Sequence, residues 1–306
     1  MADSMTARAL MARLAGVLAF TPTPFTQADS LDAEGLRSHV DFLVNAGVHA
    51  VVVCGGMGEF FALDPHEYRT AMRTAAEAVR GRLPLLAGIG HGTRVASNLA
   101  EFAASVGVDG LLIHPQYFVE PSDEGVVRHY RELARACGLG MIVYSTRSAP
   151  VTLPLLRRLA EIDSVVALKD EYGDVGLFGE MVRDLGGRLA WINGMAEGHA
   201  APYFLAGAQA FTSGLVNVVP HLTLAVWSAG AAGRWDELRA LVAKIRPLAD
   251  LRQRRRGYAI AVVKEAMNLL GMPGGTLRSP LVPLLPEDRE ELRRALSDLG
   301  VLRQPV

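Results

Sequence analysis

The chain has 306 residues, a formal net charge of −1 and a hydrophobic fraction of 50%. This length suits one large domain or two small ones, and the near-neutral charge gives no sign of a surface for nucleic acid or anionic membranes. The two cysteines form neither a disulfide framework nor a zinc motif, and no apolar run reaches the ~18 residues of a membrane-spanning helix. We therefore expect a cytoplasmic protein whose partners are small molecules and copies of itself.

Short apolar segments rich in β-branched residues recur along the chain, and they alternate with helical patterns. After a short leading helix within residues 1–16, the predicted strands are 16–21, 49–54, 84–89, 110–114, 140–144, 165–169, 189–193 and 209–213. Helical patterns occupy 32–46, 65–79, 96–105, 124–137 and 153–162. Continuous apolar strands that alternate with helices are typical of a parallel sheet covered by helices. Eight such units predict an α/β fold, a (β/α)₈ TIM barrel, with an open doubly wound sheet as the alternative.

The pattern changes after Pro220, where only helical segments follow. They cover 221–231, 235–250, 258–270 and 286–299, and glycine and proline residues separate them. We therefore predict a barrel in residues 1–220 and a C-terminal helical region, 221–306, packed on the barrel.

Lys169 ends the sixth predicted strand, and active sites of such barrels lie at the C-terminal ends of the strands. A lysine in an apolar interior loses hydration, which lowers its pKa and leaves more of the neutral amine. A neutral amine can attack a ketone and form an imine, which accepts electrons from the neighbouring carbon. The alternative is a buried lysine that only pairs with Asp170 or another carboxylate.

Tyr144 ends the fifth predicted strand, directly before the strand of Lys169. Adjacent parallel strands lie about 5 Å apart, so the phenol could reach the amine or the imine carbon. A phenol at this place can transfer protons while the imine forms. The pair Tyr144 and Lys169 therefore predicts imine chemistry, although a half-buried tyrosine at a barrel rim needs no such role.

A glycine-rich turn follows the second predicted strand, and its backbone N–H groups could bind an anion. Its four candidate substrate-binding residues are Gly55, Gly56, Met57 and Gly58. The spacing fits neither a dinucleotide-binding fold nor a P-loop. A tight turn that serves only packing is the alternative.

Three further polar residues follow strand ends and could bind a substrate carboxylate. Arg147 could do so bidentately, and Ser213 and Asn217 could donate hydrogen bonds. The alternatives are a solvated loop arginine and caps of the next helix. The histidines do not cluster with Asp, Glu or Cys at metal-ligand spacing, so we predict no metal and no cofactor.

Several of these motifs together resemble the dihydrodipicolinate synthase / N-acetylneuraminate lyase superfamily over nearly the whole chain. They are 23–25 (TPF), 55–59 (GGMGE), Tyr144 and 169–170 (KD). Segments 58–63, 173–174, 256–259 and 263–264 are most similar to 5-dehydro-4-deoxyglucarate dehydratase and its relatives. The resemblance implies a lysine imine with a 2-oxo acid, a catalytic Tyr144 and a homotetramer built as a dimer of dimers. It also implies that Tyr117 reaches into the site of a partner subunit.

Three positions depart from the family pattern. Met57 stands where the family has a threonine that relays protons between two tyrosines. Ser145 replaces an asparagine, and Arg147 lies three residues after the tyrosine instead of five. These departures leave three hypotheses. The first is a dehydratase or decarboxylase of a 2-oxo-3-deoxy sugar acid, the second is a dihydrodipicolinate synthase or other pyruvate-dependent aldolase, and the third is a catalytically weakened 2-oxo acid binding protein.

Overall fold

The computed structural model describes residues 6–116 and 119–302, and it contains a closed barrel of eight parallel strands. Each strand pairs with its sequence neighbours, and the first pairs with the last, so the sheet has no free edge. The strands are β1 Gly16–Phe20, β2 Ala50–Val53, β3 Leu85–Ile89, β4 Gly110–Ile113, β5 Gly140–Ser145, β6 Val165–Asp170, β7 Ala190–Asn193 and β8 Ala210–Ser213. The predicted TIM barrel is confirmed, and all eight strands lie within a few residues of their predicted positions.

Helices connect the strands and cover the outside of the barrel. They are α1 Ala7–Ala12, α2 Ala33–Ala46, α3 Pro65–Val79, α4 Thr93–Ser105, α5 Asp123–Cys137, α6 Leu153–Ala160, α7 Val175–Leu185, α8 Ala200–Leu205, α9 Pro220–Ala231, α10 Trp235–Gln253, α11 Tyr258–Leu269 and α12 Pro286–Asp298. The sequence did not predict α7 and α8, while the other helices match their predicted segments. No helix among the described residues is long and apolar enough to cross a membrane.

The helix α9 packs against β1, β8, α2 and α8, so it completes the ring of eight helices around the barrel. The division predicted at residue 220 falls just before this helix and stays a prediction. Helices α10, α11 and α12 pack on one another beyond the ring, and α10 also packs against α8 and α9. The C-terminal helices therefore reach the rim of the barrel at the side of its last strands.

The core fills the barrel and the layer between strands and helices. Nearly every strand residue is buried, which explains why the strands are continuously apolar instead of alternating. The leading helix α1 packs against β5 and β6, and its Leu10 is fully buried. This leucine lies over Gly110 and Gly140, where an added Cβ would come within 2.3 and 2.8 Å of its side chain. The helix therefore closes the barrel at the ends where the strands begin.

Local sequence signals fix where several helices begin. Asp64 and Glu67 form a reciprocal capping box at the start of α3, next to the N-terminal Pro65. Thr152 and Asp174 cap α6 and α7 through side-chain oxygens. Because these helices begin directly after the strand-end loops, the caps also set the positions of the loops that surround the barrel mouth.

Candidate active site

Lys169 projects into the barrel interior from the end of β6 and is only 4% exposed. Its neighbours there are mainly apolar side chains of other strands: Leu18, Phe20, Val52, Leu86, Leu112, Ile142, Ile192 and Thr212. Its Nζ atom lies 3.5 Å from the centre of the Tyr144 ring and 5.1 Å from that of Phe20. The two strand ends are in register, since Tyr144 on β5 pairs with Lys169 on β6. The predicted proximity of these two side chains is therefore present.

A carboxylate bridges the lysine and the tyrosine. Glu171 Oε2 accepts a hydrogen bond from Lys169 Nζ at 2.7 Å and a second one from the Tyr144 hydroxyl. Glu171 lies just past the end of β6, where its side chain is partly exposed, and its backbone N–H donates to Ser145 O on β5. An amine, a carboxylate and a phenol thus share one hydrogen-bonded cluster at the barrel mouth.

The cluster perturbs the pKa values of its members. Burial lowers the pKa of Lys169 below its ordinary value, and the charge and hydrogen bond of Glu171 partly offset this. Burial would raise the pKa of Glu171, but the charge of Lys169 and the hydrogen bonds from Lys169 and Tyr144 outweigh it, so the net shift is downward. Burial and the nearby carboxylate raise the pKa of Tyr144, which keeps the phenol protonated. Glu171 is therefore ionised and free to accept a proton, while Tyr144 is protonated and can donate one.

Asp170, which the sequence suggested as an ion-pair partner of Lys169, faces away from the lysine. Its carboxylate accepts hydrogen bonds from the Tyr203 hydroxyl and, at 3.3 Å, from the Gly173 N–H. Successive residues of a strand point to opposite faces, so Lys169 and Asp170 cannot both face the barrel interior. This alternation does not apply to Glu171, because Glu171 follows the last paired residue of β6.

The glycine-rich turn after β2 leaves backbone N–H donors free. The N–H groups of Gly58 and Glu59 bond back to the turn at 3.0 and 3.2 Å. Those of Gly56 and Met57 donate to no acceptor in the described part of the chain. Free N–H groups on adjacent residues are the usual means by which a turn binds a carboxylate or phosphate. The residues predicted to bind an anion thus have backbone groups available for it.

A buried ion pair holds this turn. Glu59 and Lys264 are 0% and 1% exposed, and Lys264 Nζ lies 2.6 Å from Glu59 Oε1. Lys264 also donates to Thr23 O at 2.8 Å, and the other Glu59 oxygen accepts the Arg278 N–H at 3.1 Å. Two of the three lysines in the sequence are therefore buried, and only Lys169 lies inside the barrel.

Ser213 and Asn217 are buried, and their polar atoms already have protein partners. Ser213 donates to Glu197 and accepts the Val216 N–H at 2.9 Å. The Asn217 amide donates to Phe20 O and Gly214 O, both at 2.8 Å, and its oxygen contacts His39 at 2.7 Å. These bonds leave little capacity for a substrate and instead fix the turn after β8.

The remaining predicted residues do not join the cluster. Arg147 is exposed on the loop between β5 and α6, and it makes no hydrogen bond or ion pair with the described residues. Tyr117 lies outside the described residues. In residues 6–116 and 119–302, no three His, Cys, Asp or Glu side chains are grouped as a metal site requires.

The sequence reasoning did not identify Glu171. A weak signal was available, because the segment 169–171 (KDE) places acidic side chains directly after the strand-end lysine. What the sequence could not show is which of the two carboxylates turns towards the lysine. That choice depends on where β6 stops pairing with β5, at the register pair Ser145 and Asp170.

Comparison with known proteins places these features in a family. The model of the dihydrodipicolinate synthetase family matches residues 13–299. A protein of Ectopseudomonas mendocina, described as a probable 5-dehydro-4-deoxyglucarate dehydratase, is 35% identical over 289 residues, which cover 93% of this chain and 95% of that protein. A Streptomyces coelicolor protein with a similar description is 39% identical over 288 residues and covers 90% and 91% of the two chains.

Solved structures show the same relationship. The dihydrodipicolinate synthase of Oceanobacillus iheyensis superposes with a TM-score of 0.92 at 30% identity, covering 96% of this chain and 99% of that one. The dihydrodipicolinate synthase of Aquifex aeolicus gives a TM-score of 0.89 at 26% identity, with coverages of 95% and 100%. The likeness spans the barrel and the C-terminal helices.

Proposed function

The chain belongs to the dihydrodipicolinate synthetase family and is a lyase, and from this premise we propose that it dehydrates a 2-oxo-3-deoxy sugar acid through an imine on Lys169. The observation that carries the proposal is the bridge of Glu171 between Lys169 Nζ and the Tyr144 hydroxyl. A substrate such as 5-dehydro-4-deoxyglucarate suits the chemistry, and it is also the compound in the names of the similar dehydratases.

Imine formation uses all three groups of the cluster. Glu171 accepts a proton from the Lys169 ammonium group, and the neutral amine attacks the 2-oxo carbon to form a carbinolamine. Tyr144 then donates its proton to the carbinolamine hydroxyl, which leaves as water, and Glu171 returns a proton to the phenolate. The raised pKa of Tyr144 means that the phenolate does not persist.

Dehydration follows from the electron demand of the imine. Glu171 removes a proton from the carbon next to the imine, and the resulting enamine expels the hydroxyl group of the following carbon as water, with a proton from the same cluster. Hydrolysis of the imine releases the product and restores the amine. Glu171 supports the proposal because it supplies the proton transfer that a threonine at position 57 would otherwise provide.

The substrate's C1 carboxylate needs an anchor beside the lysine. The free N–H groups of Gly56 and Met57 suit this role, since a carboxylate bound by backbone donors needs no side-chain cation. Gly55 and Gly58 shape the turn that presents these donors. We assign no role to Arg147 and give Ser213 and Asn217 a supporting role.

The test is product analysis with purified protein and 5-dehydro-4-deoxyglucarate. We expect loss of the substrate with release of water and a product with one hydroxyl group fewer. Condensation of pyruvate with an aldehyde, with no change in the sugar acid, would instead show an aldolase. Capture of 2-oxo acids without turnover would show a binding protein, and Met57→Thr would then be the variant expected to restore turnover.

The proposal includes the assembly and location of the enzyme. We place it in the cytoplasm as a homotetramer, a dimer of dimers in which Tyr117 of one subunit serves the site of its partner. This assembly rests on the resemblance of the sequence to the dihydrodipicolinate synthase superfamily. The proposal requires no metal or cofactor, because the lysine imine itself accepts the electrons.

A further inference from the structure

Arg252, in the last turn of α10, extends its side chain from the C-terminal helices to the rim of the barrel. Its Nε donates to Ala259 O at 3.1 Å, which fixes the guanidinium plane. A Cβ added to Gly214, just past β8, would lie 2.9 Å from Arg252 Nη2 and 2.6 Å from the methyl carbon of Met57. The guanidinium therefore lies beside Met57, between the ends of β8 and β2.

The outer nitrogens of this guanidinium have no protein partner among the described residues. Neither Nη1 nor Nη2 makes a hydrogen bond, and no carboxylate oxygen lies within the 4.0 Å of an ion pair. Burial lowers the pKa of Arg252, and the negative charges of Glu197 and Glu171 partly offset this. Since an arginine keeps its charge at any physiological pH, a cation is held near the lysine site without a bound counter-ion. A partly buried cation in this state costs free energy that a bound anion would reduce.

Glu197 could serve as an internal carboxylate partner of Arg252, but its carboxylate is bound to another residue. Its carboxylate accepts the Ser213 hydroxyl, and the residue is 3% exposed. Burial raises the pKa of Glu197 and the charge of Arg252 partly offsets this, but no oxygen of this carboxylate lies within ion-pair distance of the guanidinium. The position next to Arg252 therefore remains open to an anion from the substrate.

We propose that Arg252 binds the far carboxylate of a 2-oxo dicarboxylic acid whose 2-oxo carbon is attached to Lys169. This rests on the proposed function, since it requires a 2-oxo acid at that lysine. The free N–H groups of the turn after β2 serve the C1 carboxylate, and the Met57 side chain of that turn lies beside the guanidinium. The planar guanidinium group of Arg252 is then available for the second carboxylate, which it can bind through two parallel hydrogen bonds.

The test compares two six-carbon ligands that cannot be dehydrated, 2-oxoadipate and 2-oxohexanoate, which differ only in the far carboxylate. Calorimetry measures their dissociation constants, and borohydride trapping with mass spectrometry measures the imine. We expect wild-type protein to prefer 2-oxoadipate. Arg252→Gln should weaken 2-oxoadipate binding roughly 10- to 100-fold, the range for loss of charge-assisted hydrogen bonds. It should leave 2-oxohexanoate binding almost unchanged.

Two variants and a melting curve control the experiment. Arg256→Gln removes an exposed arginine of the same run and should change neither constant. Arg252→Lys keeps the positive charge but lacks the planar guanidinium group, so it should retain part of the preference for 2-oxoadipate over 2-oxohexanoate. Thermal unfolding of each variant reports damage to the fold. An equal loss for both ligands in Arg252→Gln, or no loss for either, would overturn the proposal. Calorimetric preference for the dicarboxylate without any trapped imine would instead refute the proposed function and leave the Arg252 subsite standing.

Discussion

At the scale of single residues, the position of Glu171 relative to Lys169 accounts for most of the proposed chemistry. The sequence predicts the lysine and the tyrosine, because a strand-end position and a neighbouring strand suffice to place them. It does not predict the carboxylate that joins them or the open guanidinium of Arg252. Both depend on where a strand or helix stops: β6 at Asp170 and α10 at Gln253. The run 252–256 (RQRRR) suggests a solvated helix face, yet the first arginine of this run turns inward.

Glu171→Gln tests the proton acceptor. The variant keeps the shape of the side chain but cannot accept a proton as a carboxylate does, so kcat should fall by about 10²- to 10⁴-fold, the range for general acid–base catalysis. Glu171 raises the pKa of Lys169 against the effect of burial. Its removal should therefore lower the pKa of Lys169 and shift the onset of imine trapping to lower pH. The measurement is a pH series of cyanoborohydride trapping beside steady-state kinetics.

Glu180→Gln, an exposed glutamate on α7, is the matched control and should behave as wild type. The shift in the pH onset of trapping reports the charge of Glu171 beside Lys169, and the fall in kcat reports its role in proton transfer. Wild-type kcat in Glu171→Gln together with an unshifted onset would show that another group moves the proton.

At the scale of elements, eight strands and most helices follow from apolar patterns, while α7 and α8 do not. Two glycines, Gly176 and Gly179, weaken the pattern of α7, and α8 has only six residues with Pro202 among them. Their helical form comes from packing between neighbouring barrel units instead of from intrinsic preference. The turn after β2 is also fixed from a distance, since its partner Lys264 lies 205 residues further along the chain.

Lys264→Met tests whether the buried ion pair of Lys264 and Glu59 stabilises the turn after β2. Removal of the lysine leaves Glu59 buried without its cation, so the free energy of unfolding should fall by about 3–5 kcal/mol. Lys244→Met, at an exposed lysine, should change it by less than about 0.5 kcal/mol. Denaturant titration measures both. Adding Glu59→Gln to Lys264→Met should recover part of the loss, and a double variant less stable than the single one would contradict a paired role.

At the scale of the whole molecule, the closed barrel brings loops from distant parts of the sequence to one rim. The rim carries the lysine cluster on β5 and β6, the turn after β2, and Arg252 from the C-terminal helices. The resemblance in the sequence implies both the barrel and a tetramer, and the structure and the comparisons establish the barrel. Assembly remains a prediction, because it depends on surfaces between chains.

Mixing inactive variants tests the assembly. Tyr117→Phe and Lys169→Ala should each be nearly inactive alone, while tetramers reassembled from both should contain sites with one intact lysine and one intact partner tyrosine. Random pairing in equal mixture would restore such sites to about a quarter of the total. Activity measured after dissociation and reassembly reports the exchange. A mixture as inactive as its components would place Tyr117 outside the partner's site.

The central claim is that Lys169 forms the imine, and the chain is well suited to testing it because it has only three lysines. The protein is incubated with pyruvate or a 2-oxo-3-deoxy sugar acid, reduced with borohydride, digested and mapped by mass spectrometry. We predict a single adduct on the peptide that carries Lys169, and none in Lys169→Ala. An adduct on Lys244 or Lys264 alone, or no adduct with any 2-oxo acid, would contradict the account.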